Sequence, residues 1–125
     1  MLFRSAGAGL SGNGQVTNGA IAAWKLAEKN GRLVFDGGWV SRDMESPLPP
    51  IVVNGVVFAA AGGNFQRSTP AVLYALDGAT GKVIWDSGKT ITAPAPATGL
   101  ASGGGAVYLG AHDGAVYAFG FPIEH

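Results

Sequence analysis

Short apolar runs separated by turn dipeptides recur along this chain. Ile51-Val52-Val53, Val56-Val57-Phe58, Val72-Leu73-Tyr74-Ala75-Leu76, Val83-Ile84-Trp85, Ala106-Val107-Tyr108-Leu109 and Ala115-Val116-Tyr117-Ala118-Phe119 are rich in β-branched and aromatic residues, which suit a pleated, half-buried strand. Between the runs stand Asn-Gly at Asn13-Gly14, Asn18-Gly19, Asn30-Gly31 and Asn54-Gly55, and Asp-Gly at Asp36-Gly37, Asp77-Gly78 and Asp113-Gly114. Such dipeptides tolerate the positive φ angles of tight hairpins. The pattern predicts an antiparallel meander whose core includes Val52, Val57, Leu73, Leu76, Val83, Trp85, Val107, Val116 and Phe119. Ala20 to Lys29 is Ala-rich and competes as a helix, but it is short and Gly31 cuts it off.

An internal repeat decides that segment in favour of strand. At a shift of 50 residues Trp24-Lys25-Leu26 falls on Tyr74-Ala75-Leu76, and Gly31-Arg32-Leu33-Val34-Phe35-Asp36 falls on Gly81-Lys82-Val83-Ile84-Trp85-Asp86. Val57-Phe58 meets Val107-Tyr108 at the same shift of 50, whereas Tyr74-Ala75-Leu76 meets Tyr117-Ala118-Phe119 at 43. The difference comes from the polar insertion Gly62 to Pro70, which the last copy replaces by Ala111-His112-Asp113-Gly114. Without the insertion the period approaches the ~40 to 50 residues of a propeller blade. The expected architecture is therefore all-β, with antiparallel four-stranded blades forming a partial β-propeller of about 2.5 blades. The expected units are a Gly-rich segment over residues 1–18, with an extra strand placed within 1–12, a partial blade over 19–42, a complete blade over 47–90 and a partial last blade over 93–121.

The unit Leu73-Tyr74-Ala75-Leu76-Asp77-Gly78-Ala79-Thr80-Gly81-Lys82-Val83-Ile84-Trp85 resembles the repeat of pyrroloquinoline-quinone-type (PQQ-like) β-propellers, with its aromatic-Ala-Leu-Asp strand end, Thr-Gly-Lys turn and Trp in the next strand. Pro49 to Phe58 is similar to the first two blade strands of that family, and the resemblance spans roughly Ile21 to Phe121. The motif residues Tyr74, Ala75, Leu76, Asp77, Thr80, Gly81, Lys82 and Trp85 serve structure. Asp77 and Thr80 are placed to hydrogen-bond their own turn, Gly81 to take the left-handed conformation that closes it, and Trp85 to bury its ring between blades. In the first copy Ala27, Asn30 and Phe35 replace Asp77, Thr80 and Trp85, which marks that copy as degenerate. The strand count implies the C-terminal portion of a longer protein.

Composition narrows the function. The chain has 125 residues, 47% hydrophobic and 13% charged, with eight basic residues balanced by eight acidic ones. A disordered chain and a nucleic-acid-binding surface are both disfavoured by these values. Cysteine is absent, which removes disulfides, thiolate metal sites and a cysteine nucleophile. Residues 5–12 are too rich in Gly and Ser for a signal peptide's apolar region, and no run is long enough for a transmembrane helix.

Candidate chemistry is sparse. Gly7-Ala8-Gly9-Leu10-Ser11-Gly12 fits G-x-G-x-x-G, but turn dipeptides follow it where a phosphate-cradling motif needs a helix. Asp43 and Glu45 form a close carboxylate pair in the polar linker Ser41 to Pro47, read as a solvated loop rather than an acid and base. His112-Asp113-Gly114 reads as a hairpin turn, and His125 as a terminal residue, rather than as metal ligands. Trp24, Trp39 and Trp85 have a cofactor reading by resemblance only, since quinoprotein dehydrogenases stack an aromatic ring on the quinone. The sequence thus supports a non-catalytic binding or scaffold module with no catalytic, cofactor or metal residues. Its expected partners are a protein or peptide ligand, further copies in a homo-oligomer, or the remaining blades of a longer propeller. The alternative is the C-terminal part of a quinoprotein dehydrogenase using pyrroloquinoline quinone with calcium. The family resemblance implies a periplasmic or cell-envelope location.

Overall fold

A computed structural model describes residues 12–64, 66–67, 69–96 and 100–120. Among them are nine strands and no helix, so none is long and apolar enough to cross a membrane. Strands β1 (Ala22–Lys29) and β2 (Arg32–Val40) form a two-stranded sheet I; β3 (Ile51–Val53), β4 (Val56–Ala61), β5 (Val72–Asp77) and β6 (Val83–Asp86) form a four-stranded sheet II; β7 (Leu100–Gly103), β8 (Ala106–Gly110) and β9 (Val116–Gly120) form a three-stranded sheet III. Every pairing is antiparallel between neighbours in sequence. Asn30-Gly31, Asn54-Gly55, Asp77-Gly78 and Asp113-Gly114 join paired strands and close hairpins, with Asn30, Asn54, Gly31 and Gly55 at positive φ. Asp36-Gly37 instead lies within β2, and Asn13-Gly14 and Asn18-Gly19 join no paired strands among the described residues. Ala22 to Lys29 is a strand as the repeat required, because its partner β2 gives it a ladder that outweighs alanine's helix preference. The extra strand expected within residues 1–12 lies outside the described residues except for Gly12, which is in no strand.

Sheet II lies between the other two and is buried on both sides. In β4 and β5 alternate residues point to opposite faces. Phe58, Ala60, Leu73 and Ala75 pack with Val107 and Leu109 of sheet III, whereas Val57, Ala59, Tyr74 and Leu76 pack with Ile21 and Trp39 on the sheet I side. The register sets large against small: Phe58 opposite Ala75, Leu73 opposite Ala60, Tyr74 opposite Ala59. Those alanines let both neighbouring sheets approach closely, which explains why β4 ends in Ala59-Ala60-Ala61.

Four expected core positions are exposed instead. Val52 is 62% exposed, Val116 70%, Val83 38% and Trp85 37%. All four lie on strands with a partner on one side only, β3, β6 and β9. Apolar identity alone does not bury a residue on such a strand when the neighbouring layer does not reach over it. Val57, Leu73, Leu76 and Val107 are buried as expected, and Phe119 is half-buried.

Candidate functional site

The motif residues take the following places. Tyr74, Ala75, Leu76 and Asp77 end β5, Thr80 and Gly81 form the turn, Lys82 precedes β6 and Trp85 sits on β6. Asp77 Oδ1 accepts the Ala79 N–H at 2.8 Å and Thr80 Oγ1 accepts the Lys82 N–H at 3.3 Å. Gly81 has φ +77°. Each closes the turn from within.

The ring that packs on this turn is Trp39. Its Nε1 donates to the Gly78 carbonyl at 2.8 Å, and it is 2% exposed. A Cβ at Gly81 would collide with Cε3 and Cδ2 of Trp39, so the turn needs glycine for close approach as well as for its φ. The sequence alignment had set Phe35 opposite Trp85; the Phe35 side chain lies outside the described set, and Trp39 holds the junction. The shift arises because β2 has nine residues and β6 four. Gly37 and Gly38 take positive φ within β2, and the β1–β2 register slips between Trp24 and Leu26. A sequence signal for Trp39 exists in Trp39-Val40-Ser41 and Trp85-Asp86-Ser87. Ser41 Oγ accepts the Ile21 N–H at 2.9 Å, and Ser87 Oγ accepts the Leu73 N–H at 2.9 Å.

Trp85 lies beside the packed interface of sheets II and III. Beside Trp85 lies a cleft of about 780 Å³. Its walls are Val53, Phe58, Ala75 and Ile84 on one side and the Ser102 to Val107 turn with Ala118 and Phe119 on the other. Trp85 meets Phe119 edge to face, with ring centroids 5.5 Å apart. Three successive glycines, Gly103, Gly104 and Gly105, leave backbone rather than side chains along one wall. Among the described lining residues none is ionisable, and the polar side chains are Asn54, Ser102 and the indole of Trp85. A hydroxyl with no neighbouring base is a poor nucleophile. A quinone with calcium needs carboxylate oxygens, and among the described lining residues there are none, so these residues do not fit that group.

The other candidate residues lie elsewhere. Asp43 is not a bare solvated charge: its carboxylate accepts the backbone N–H groups of Thr17, Asn18 and Gly19 and the Asn18 side-chain amide, at 2.6 to 3.3 Å. The Asn18 N–H, then the Asn18 amide and the other two N–H groups, hold its pKa far below the ordinary value of 3.8. Glu45 Oε1 is enclosed with no hydrogen-bond partner among the described residues. Arg42 lies over the Tyr74 ring at 4.9 Å. His112 is exposed in a turn that Asp113 closes by accepting the Ala115 N–H at 3.0 Å. Among the described residues no three His, Asp or Glu side chains gather as metal ligands. Residues 7–11 of the G-x-G-x-x-G segment, and His125, lie outside the described residues.

No family model matches the chain, and no curated protein or solved structure shows significant similarity to it.

Proposed function

We propose that the chain is a non-catalytic, polypeptide-binding scaffold module built from PQQ-like β-propeller repeats, and that its ligand is an extended segment with a glycine turn taken up beside Trp85. The carrying observation is the contrast between two junctions of one molecule. Trp39 is covered by the Gly78–Gly81 turn, whereas Trp85 lines an apolar cleft. A cleft of this size with few polar groups suits binding by shape and apolar contact. Its glycine wall and the outer edge of β9 offer backbone groups for strand addition.

Fluorescence anisotropy tests this with a labelled peptide copying residues 77–88, which in the chain supply the turn that covers Trp39. Saturable binding that Trp85→Ala weakens at least tenfold supports the reading. No binding to the intact chain contradicts it. Stoichiometric uptake of pyrroloquinoline quinone with calcium, followed by dye reduction, would replace it with the dehydrogenase reading.

A further inference from the structure

Four Asn-Gly pairs stand in the chain, Asn13-Gly14, Asn18-Gly19, Asn30-Gly31 and Asn54-Gly55. In such a pair the backbone nitrogen of the glycine, unshielded by a side chain, can attack the side-chain amide carbon of the asparagine. The new C–N bond closes a succinimide ring, the glycine nitrogen gives up its proton, and the side-chain nitrogen leaves as ammonia. Water then opens the ring at one carbonyl to give aspartate or at the other to give isoaspartate. Cyclisation needs an asparagine side chain that can swing over the backbone and a glycine N–H that is not engaged elsewhere. By sequence the four pairs are alike.

The structure separates them into two kinds. The Asn13 side chain donates to the Val40 carbonyl at 2.8 Å and to the Thr80 carbonyl at 3.0 Å, so moving it breaks two hydrogen bonds. Asn18 donates to Asp43 Oδ2 at 2.7 Å, and the Gly19 N–H, which would be the nucleophile, donates to Asp43 Oδ1 at 3.3 Å. Asn30 and Asn54 are exposed, and among the described residues neither their side chains nor the Gly31 and Gly55 N–H groups have a hydrogen-bond partner. Their turns are near copies, with φ of 53° and 50° at the asparagines and 76° and 78° at the glycines. A Cβ built on either glycine would meet nothing within 4 Å, so the space around the attacking residue is open.

We propose that Asn30 and Asn54 are sites of spontaneous deamidation in the folded chain, and that hydrogen bonding withholds Asn13 and Asn18 from the same reaction. Asn54 lines the cleft, whose described lining residues include none that ionises. Conversion there introduces a carboxylate into a neutral wall and, as isoaspartate, lengthens the backbone of the β3–β4 turn. Asn30 lies at the β1–β2 turn, outside that lining, and undergoes the same chemistry without altering it. Asp43 has a second task, because the carboxylate that ties down residues 17–19 also occupies both reacting groups of Asn18-Gly19.

Peptide mapping by mass spectrometry, on chain incubated at mildly alkaline pH, measures each conversion as replacement of amide by carboxyl in the peptide that carries it. In folded chain Asn30 and Asn54 should convert at least tenfold faster than Asn13 and Asn18. In chain unfolded by urea all four should convert at similar rates. Asp43→Ala, with its fold checked by circular dichroism, should speed conversion at Asn18 and leave the rate at Asn54 unchanged. The comparison of folded with urea-treated intact chain needs no variant and decides the proposal even where Asp43→Ala does not fold. Asn54 converting as slowly as Asn18 in folded chain overturns the proposal. So does a contrast that persists in urea, because it would then belong to the local sequence and not to the hydrogen bonds.

Discussion

Trp39 and Gly81, 42 positions apart in the sequence, are in such close contact that the glycine has no room for a methyl group. The contact joins sheet I to sheet II, and the indole N–H bond to the Gly78 carbonyl fixes the ring's orientation. Trp85 is 37% exposed and meets Phe119 edge to face beside the cleft.

The two tryptophans should therefore differ sharply on truncation. Trp39→Ala should destabilise the fold by about 3 to 5 kcal/mol, as for a fully buried aromatic, and Trp85→Ala by only about 1 to 2. Urea melts followed by far-ultraviolet circular dichroism measure both. Equal losses would show that the two junctions are alike.

Gly81→Ala combines an unfavourable φ with displacement of the Trp39 ring, and should cost about 2 to 4 kcal/mol. Gly55→Ala, at φ +78° with nothing within 4 Å of the new methyl, should cost about 1 kcal/mol from φ alone. The difference between the two melts isolates the ring contact. Equal costs would mean that the indole moves aside freely.

Asp43 ties residues 17–19 to the linker after β2. Because folding lowers its pKa below 3.8, the stability it contributes is complete above the unfolded value and is lost as the pH falls below it. The intact chain should melt at higher temperature than Asp43→Ala at about pH 6, with the gap narrowing on acidification below about pH 4. A gap independent of pH would mean that the carboxylate's charge is immaterial.

The hairpin turns at Asn30-Gly31, Asn54-Gly55, Asp77-Gly78 and Asp113-Gly114 were legible in the sequence because these pairs flank apolar runs, whereas Asp36-Gly37 reads like them and lies within β2. Gly31, Gly55 and Gly81 do hold positive φ, and Asp77 and Thr80 do bond within their turn. Burial was less legible, because a valine on β3 or β9 reads like a valine on β4, and only the stacking of sheets separates them. Trp39 was missed for a physical reason. The extra length of β2 moves the packing ring four positions further from its glycine than in the second copy, so matching on Gly31 and Gly81 selects Phe35. Matching on Ser41 and Ser87, whose hydroxyls bond equivalent backbone groups, selects Trp39. The cleft could not be read from sequence, since its described lining is drawn from every strand from β3 to β9 and those residues have no chemical signature of their own.

The most direct test of the binding reading uses the chain's three tryptophans as reporters. Labelled with 5-fluorotryptophan, they give separate fluorine resonances, with that of Trp85 assigned by its loss in Trp85→Phe. Titration with the unlabelled peptide of residues 77–88 should shift the Trp85 resonance progressively to saturation and leave that of Trp39 in place, because its junction is already filled. A Trp85 resonance that does not move at saturating peptide would contradict the account.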